Sequence, residues 1–133
     1  MNSTMKKYSK HSLLNIAMWN FEGLTLNKTT DNHFLQLISN YHILSLVETW
    51  TDKDGPSVNL PGFEMISMCS RKKHKKARRN SGGICIYAKC SIIKGIKCLK
   101  NKHNGILWVK LDQGFFNLDD KDIFLAVVYI SPS

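Results

Sequence analysis

Acidic residues are missing from the middle of this chain. None occurs between Glu64 and Asp112, although the 133 residues hold 10 Asp and Glu in all. Long apolar runs are missing too. A membrane-crossing helix takes about 18 or more apolar residues, and the longest run here, Ile123 to Ile130, has only the length of a strand. The first ten residues are polar and basic without an apolar stretch. The chain is therefore read as not secreted, and as nuclear or cytoplasmic. Cysteine is sparse and unpatterned: Cys69, Cys85, Cys90 and Cys98 show no C-x-x-C spacing, and none of the five histidines stands at zinc-ligand distance from a cysteine or another histidine. Those absences exclude a disulfide-stapled secreted scaffold and a zinc module, and they predict reduced, mostly buried thiols.

What is present is a globular composition. Hydrophobic residues make up 43% and aromatic residues 10%, enough for a packed core and too much for a disordered chain. The length bounds it at one domain or part of one. The net charge of +9 is local: Arg71, Lys72, Lys73, Lys75, Lys76, Arg78 and Arg79 form one run, and without it 12 basic residues face 10 acidic ones.

Along the chain, residues 1–11 read as a disordered basic lead-in and 12–133 as the folded part. Residues 13–20 alternate as a strand, with Leu14, Ile16 and Met18 on one face and Asn15, Ala17 and Trp19 on the other. Thr29, Thr30 and Asp31 offer helix caps, and Phe34, Leu35, Leu37, Ile38 and Tyr41 follow at helical spacing, so a helix is expected over about 31–41. Ile43 to Val47 reads as a buried strand, which completes a βαβ unit. Residues 52–62, with two prolines and two glycines, read as a loop. Strands are expected over 63–69, 83–89, 92–99, 106–112 and 122–130, with a basic loop over 70–81 and a turn around Gly114 and Asn117 to Asp120. The class is α+β, with one mixed, mainly antiparallel sheet and one covering helix. One helix cannot cover both faces of so many apolar strands, so a second layer is expected to be missing.

Two side chains stand out chemically. Glu48 follows the apolar strand Ile43–Val47, and Asn20 ends the first strand. In parallel neighbours both side chains reach one sheet rim, where ligand sites form. A carboxylate and an amide oxygen are hard ligands suited to Mg²⁺. From spacing alone, a loop-start asparagine and a solvated strand-end glutamate are the simpler reading. The basic run reads as a solvated loop, a phosphate-contacting segment or a nuclear-import cluster. Trp50 and Trp108 read as core aromatics that could also stack on bases.

Five motifs then occur in order: Trp19-Asn20-Phe21-Glu22-Gly23-Leu24, Val47-Glu48-Thr49-Trp50, Leu60-Pro61-Gly62-Phe63, Ser81-Gly82-Gly83-Ile84-Cys85-Ile86-Tyr87, and the closing run Leu125 to Ser133. Their order and flavour resemble the endonuclease/exonuclease/phosphatase superfamily. Glu-Thr-Trp and Val-Tyr-x-x-Pro-Ser look most like the endonuclease domain of non-LTR retrotransposons, relatives of apurinic/apyrimidinic endonucleases and deoxyribonuclease I. The resemblance implies half of a four-layer α/β/β/α sandwich and metal-dependent phosphodiester hydrolysis of DNA. It implies Glu48 as ligand to Mg²⁺ (or Mn²⁺), Asn20 at the metal and phosphate site, Tyr129 at the scissile phosphate and Glu22 as a second acid. A phosphatase or lipid-phosphoesterase branch fits the Glu-Thr-Trp and Tyr-x-x-Pro signatures less well.

The family's later motifs, Gly-Asp-Phe-Asn and Ser-Asp-His, do not occur in these residues. The expectation is therefore an amino-terminal half without its general base, inactive alone. It would pair with a complementing carboxyl-terminal half or self-associate through an exposed sheet face. The alternative expectation is a non-catalytic nucleic-acid-binding module derived from such a domain.

Overall fold

The computed structural model describes residues 13–52, 54, 55, 57–70, 82–100, 103 and 105–130. Two sheets form the body. The first has four strands in the order β1-β2-β4-β3, from β1 (Ile16–Asn20), β2 (Ile43–Val47), β3 (Phe63–Cys69) and β4 (Ile84–Lys89). β1 and β2 pair in parallel, with Ile16 opposite Ile43 and Asn20 opposite Val47. β4 is antiparallel to both β2 and β3, and a bulge interrupts β3 between Met65 and Ser67. The second sheet is antiparallel, β5-β6-β7, from β5 (Ile96–Cys98), β6 (Ile106–Leu111) and β7 (Ile123–Val128).

Each face of the first sheet buries its own core. On one face α2 (Asn32–Ile38), preceded by the short α1 (Leu26–Thr29), brings Phe34 and Ile38 onto Leu44, Leu46, Cys85 and Tyr87. The Asp31 carboxylate starts α2 by accepting from the Phe34 amide at 3.0 Å, which satisfies one orphan donor of the first turn. The opposite face packs Ile43, Val47, Ile84 and Ile86 against Leu107, Val109, Leu111 and Val127 of the second sheet. β2 and the first five residues of β4 are thus buried throughout, as strands covered on both faces must be. In β6 only alternate residues, Leu107, Val109 and Leu111, are buried.

Five expectations are corrected. The strands form two sheets, not one: Ile106–Leu111 and Ile123–Val128 fold over the first sheet, because its second apolar face needs a cover. The second layer, expected to be missing, is therefore supplied in part by this chain. Residues 92–99 are not one strand. Cys90–Gly95 make a 3-10 turn that buries Ile92, and only Ile96–Cys98 pair as β5. The helical content is also divided: α2 is shorter than expected, α1 precedes it, and α3 (Gln113–Phe116) occupies the expected turn. The Asp112 carboxylate caps α3 at Phe115 N, 2.8 Å, and both Phe115 and Phe116 close the end of the inter-sheet core. Cys69 and Cys85 are buried while Cys90 and Cys98 are exposed, so the thiols divide evenly. Trp108 is 41% exposed on the outer face of the second sheet, and is no core residue. No helix among the described residues is long and apolar enough to cross a membrane.

Candidate functional site at the strand ends

β1, β2 and β7 all run out at one edge. Beyond them, two backbone zippers bind the loops together. Phe21 N donates to Val47 O at 2.9 Å, Gly23 N to Glu48 O at 2.7 Å and Leu24 N to Thr49 O at 2.8 Å. On the other side Thr49 N donates to Gly83 O at 3.3 Å and Trp50 N to Gly82 O at 3.0 Å. Glu48 is therefore held between the loop after β1 and the glycines before β4.

The local sequence makes this possible. Gly83 sits at φ +96, and a Cβ there would lie 2.5 Å from Thr49 Oγ1. Gly23, at φ +98, leaves room for the Trp50 ring, which a Cβ would meet at 2.6 Å. Among the described residues four that are not glycine have left-handed backbones, and three of them, Glu22, Glu48 and Trp50, lie here. The fourth, Asn117, ends α3, where this conformation is routine. Residues held this way cost about 1–3 kcal/mol each and gather at functional sites.

Glu48 is half-buried, and the Tyr129 hydroxyl donates to its Oε1. Burial, then the hydrogen bond to Glu48 and its negative charge, push the Tyr129 phenol up to about 12. At neutral pH Tyr129 is a protonated donor that fixes the carboxylate's orientation, while the remaining lone pairs of Glu48 keep their acceptor capacity. Asn20 is exposed one residue before the zipper, on the same side of the sheet as Val47. The structure thus brings Asn20, Glu48 and Tyr129 to one edge.

Glu22 is exposed, and it is its backbone carbonyl that enters the network. Its partner is Lys28, which sequence reading missed. From α1 the Lys28 ammonium donates to Phe21 O at 2.8 Å and to Glu22 O at 2.7 Å, and lies 5.5 Å from the Phe21 ring centre. A lysine capping two loop carbonyls leaves no spacing signal in a sequence. Thr49 was also missed: it is buried, and its hydroxyl shares a hydrogen bond with Thr51 at 3.0 Å.

Among the described residues no group of three or more His, Cys, Asp or Glu could hold a metal ion. The donors at this edge are one oriented carboxylate and one amide. That set fits Mg²⁺, which is usually bound through one or two carboxylates with waters and substrate phosphates; it does not suit a cation needing an all-protein cage.

Residues 71–81, including Arg71, Lys72, Lys73, Lys75, Lys76, Arg78 and Arg79, lie outside the described residues. Their attachment points do not. Cys69 pairs with Ile84, and Ile84 pairs with Val47, so the run leaves and rejoins the sheet at the Glu48 end. The chain matches no protein-family model, no curated protein and no solved structure.

Proposed function

We propose that this chain is the amino-terminal portion of a Mg²⁺-dependent, DNA-cleaving phosphodiesterase domain of the endonuclease/exonuclease/phosphatase type, in its retrotransposon form. The observation that carries the proposal is the convergence of Asn20, Glu48 and Tyr129 at one edge, with Glu48 in a left-handed backbone and oriented by Tyr129. The two packed sheets with helices on one outer face are compatible with three layers of such a sandwich; a fourth has no counterpart among the described residues.

In this reading Glu48 and the Asn20 amide oxygen hold Mg²⁺ (or Mn²⁺), which when bound neutralises charge on the phosphoryl oxygens. Tyr129 keeps Glu48 in its liganding orientation and presents its hydroxyl beside the phosphate. Glu22 stays a candidate second acid at the rim. The motifs that carry the family's general base, Gly-Asp-Phe-Asn and Ser-Asp-His, do not occur in these residues. A positioned base contributes about 10²–10⁴-fold, so the expected outcome is Mg²⁺ binding without turnover.

Calorimetry with Mg²⁺ tests the metal site. Binding by the native chain that Glu48→Gln abolishes supports it; equal binding by both sinks it. Nicking of supercoiled plasmid by the native chain, lost in Glu48→Gln, would show that the expectation of inactivity is wrong.

A second reading is favoured by where the basic run is attached. A sequence-indifferent DNA-binding module would use the run to contact backbone phosphates beside the Glu48 edge. Each phosphate neutralised adds about 0.9 to the slope of log affinity against log salt. Binding that survives Glu48→Gln and disappears when residues 71–79 are neutralised would select this reading.

A further inference from the structure

The loop that leaves β1 takes two consecutive left-handed residues, Glu22 at φ 48 and Gly23 at φ 98. The peptide unit between them has a partner at each end. Its carbonyl, Glu22 O, accepts from the Lys28 ammonium at 2.7 Å. Its amide, Gly23 N, donates to Glu48 O at 2.7 Å. The Glu48–Thr49 peptide continues the row, because Thr49 N donates to Gly83 O at 3.3 Å. One hydrogen-bonded series therefore runs from the Lys28 ammonium, through two peptide units, to the glycines before β4. Glu48 supplies its middle carbonyl.

The same ammonium reaches the preceding carbonyl. Phe21 O accepts from it at 2.8 Å, while Phe21 N donates to Val47 O at 2.9 Å. The two carbonyls that flank the Glu48 Cα, Val47 O and Glu48 O, are thus held by Phe21 N and Gly23 N. The carbonyls of Phe21 and Glu22 both end on Lys28.

The loop's own backbone does not select this arrangement. A peptide unit followed by glycine can flip at little steric cost, since glycine adopts either sign of φ. A flipped Glu22–Gly23 unit would turn its carbonyl toward Glu48 O and its amide away. The ammonium favours the observed orientation through a charge-assisted hydrogen bond. It also polarises the unit, which strengthens the Gly23 N–H as a donor. The Phe21 ring, whose centre is 5.5 Å from the ammonium, adds attraction in the same place.

We infer that Lys28 is a positioning residue of the metal site. It fixes the Glu22–Gly23 peptide so that Gly23 N holds the backbone of Glu48, and through it the carboxylate that Tyr129 orients. The inference rests on the Mg²⁺ site proposed above and adds to it a residue outside the donor set. Lys28 acts through the backbone, so its removal leaves Asn20, Glu48 and Tyr129 chemically intact.

The test uses the whole chain. Lys28→Met removes the ammonium and keeps an unbranched apolar stem. Amide hydrogen exchange by NMR reads the Gly23 to Glu48 bond, and calorimetry reads Mg²⁺ affinity. In Lys28→Met the Gly23 amide is expected to lose protection, and Mg²⁺ affinity to fall about tenfold, the scale set by losing a group that orients a metal ligand. Lys28→Arg keeps the cation and its donors, and is expected to restore most of both. Tyr87→Phe controls for general weakening. It removes the hydroxyl that donates to Val58 O at 2.6 Å, away from the Glu48 end of β4. It is expected to lower the melting temperature and leave Mg²⁺ affinity unchanged. Native Mg²⁺ affinity in Lys28→Met overturns the inference and leaves the metal site standing. An equal loss of affinity in Tyr87→Phe also overturns it, since the effect would then be one of stability alone. So does a Lys28→Arg variant as weak as Lys28→Met. A native chain that binds no Mg²⁺ overturns the metal site itself, and this inference with it.

Discussion

β1 and β2 are parallel neighbours of five residues each, and both read as apolar strands. Yet every residue of β2 is buried, while four of five in β1 are exposed and one is half-buried. Their own patterns do not explain the difference. What lies above each strand does: α2 and the second sheet close over β2, and the inward face of β1 is left largely exposed among the described residues. Burial here is a property of the neighbours, so the same kind of apolar side chain has a different energetic weight one strand apart.

The largest effect that sharpens this contrast is a pair of truncations. Leu46→Ala removes a side chain 1% exposed in the helix-side core, and is expected to cost about 2–5 kcal/mol. Met18→Ala, one strand away, is expected to stay within about 0.5 kcal/mol. Urea denaturation of both variants measures the gap; equal losses would mean that β1 is covered in solution.

Next is Gly83→Ala. It combines a φ of +96 with a Cβ lying 2.5 Å from Thr49 Oγ1, and the backbone of Trp50 follows at 3.2 Å. The strain alone costs about 1–3 kcal/mol, and the displaced Thr49 drags Glu48 with it. Both stability and Mg²⁺ affinity are expected to fall. A variant with native stability by the same denaturation would show that the glycine zipper yields.

Glu48→Gly separates the two quantities. Glycine accepts φ 53 without a Cβ penalty, so the fold is expected to gain up to about 1 kcal/mol while Mg²⁺ binding disappears. A thermal melt paired with calorimetry reads both. A destabilised variant would mean that the Tyr129 hydrogen bond outweighs the backbone strain.

The same contrast marks what the sequence could reveal. Alternation and capping located β1, β2, β3, β4, β6 and β7 to within a few residues, because these signals are local. Asn20 and Glu48 were legible as a pair, since strand ends carry them to one rim; Tyr129 was singled out through the resemblance alone. The split into two sheets was not legible: whether β6 lies beside β4 or above it depends on the 3-10 turn at Cys90–Gly95, where a lysine and five apolar or small residues read equally as strand. Lys28 was invisible for a related reason, since its partners are backbone carbonyls, which every residue has. The run at 71–79 was obvious as charge, but its attachment at the Glu48 end came from the Cys69–Ile84 and Val47–Ile84 pairings alone.

The smallest expected effect compares two tyrosines, one in the core and one at the rim. Tyr87 is buried on the helix side, where its hydroxyl donates to Val58 O at 2.6 Å, and burial raises its pKa strongly. Tyr129 is raised to about 12 at the rim. For both, the folded state holds the phenolic proton more tightly than the unfolded chain does. Their contribution to stability is complete below the unfolded value near 10 and is lost as pH rises through the folded value. Melting temperatures of the native chain should therefore fall between about pH 10 and 12, and those of Tyr129→Phe should fall less steeply, because Tyr87 still contributes and Tyr129 no longer does. The difference between the two curves isolates the rim tyrosine from the core one. Parallel curves would mean that Tyr129 titrates alike in both states, and that its hydrogen bond does not hold Glu48 in solution.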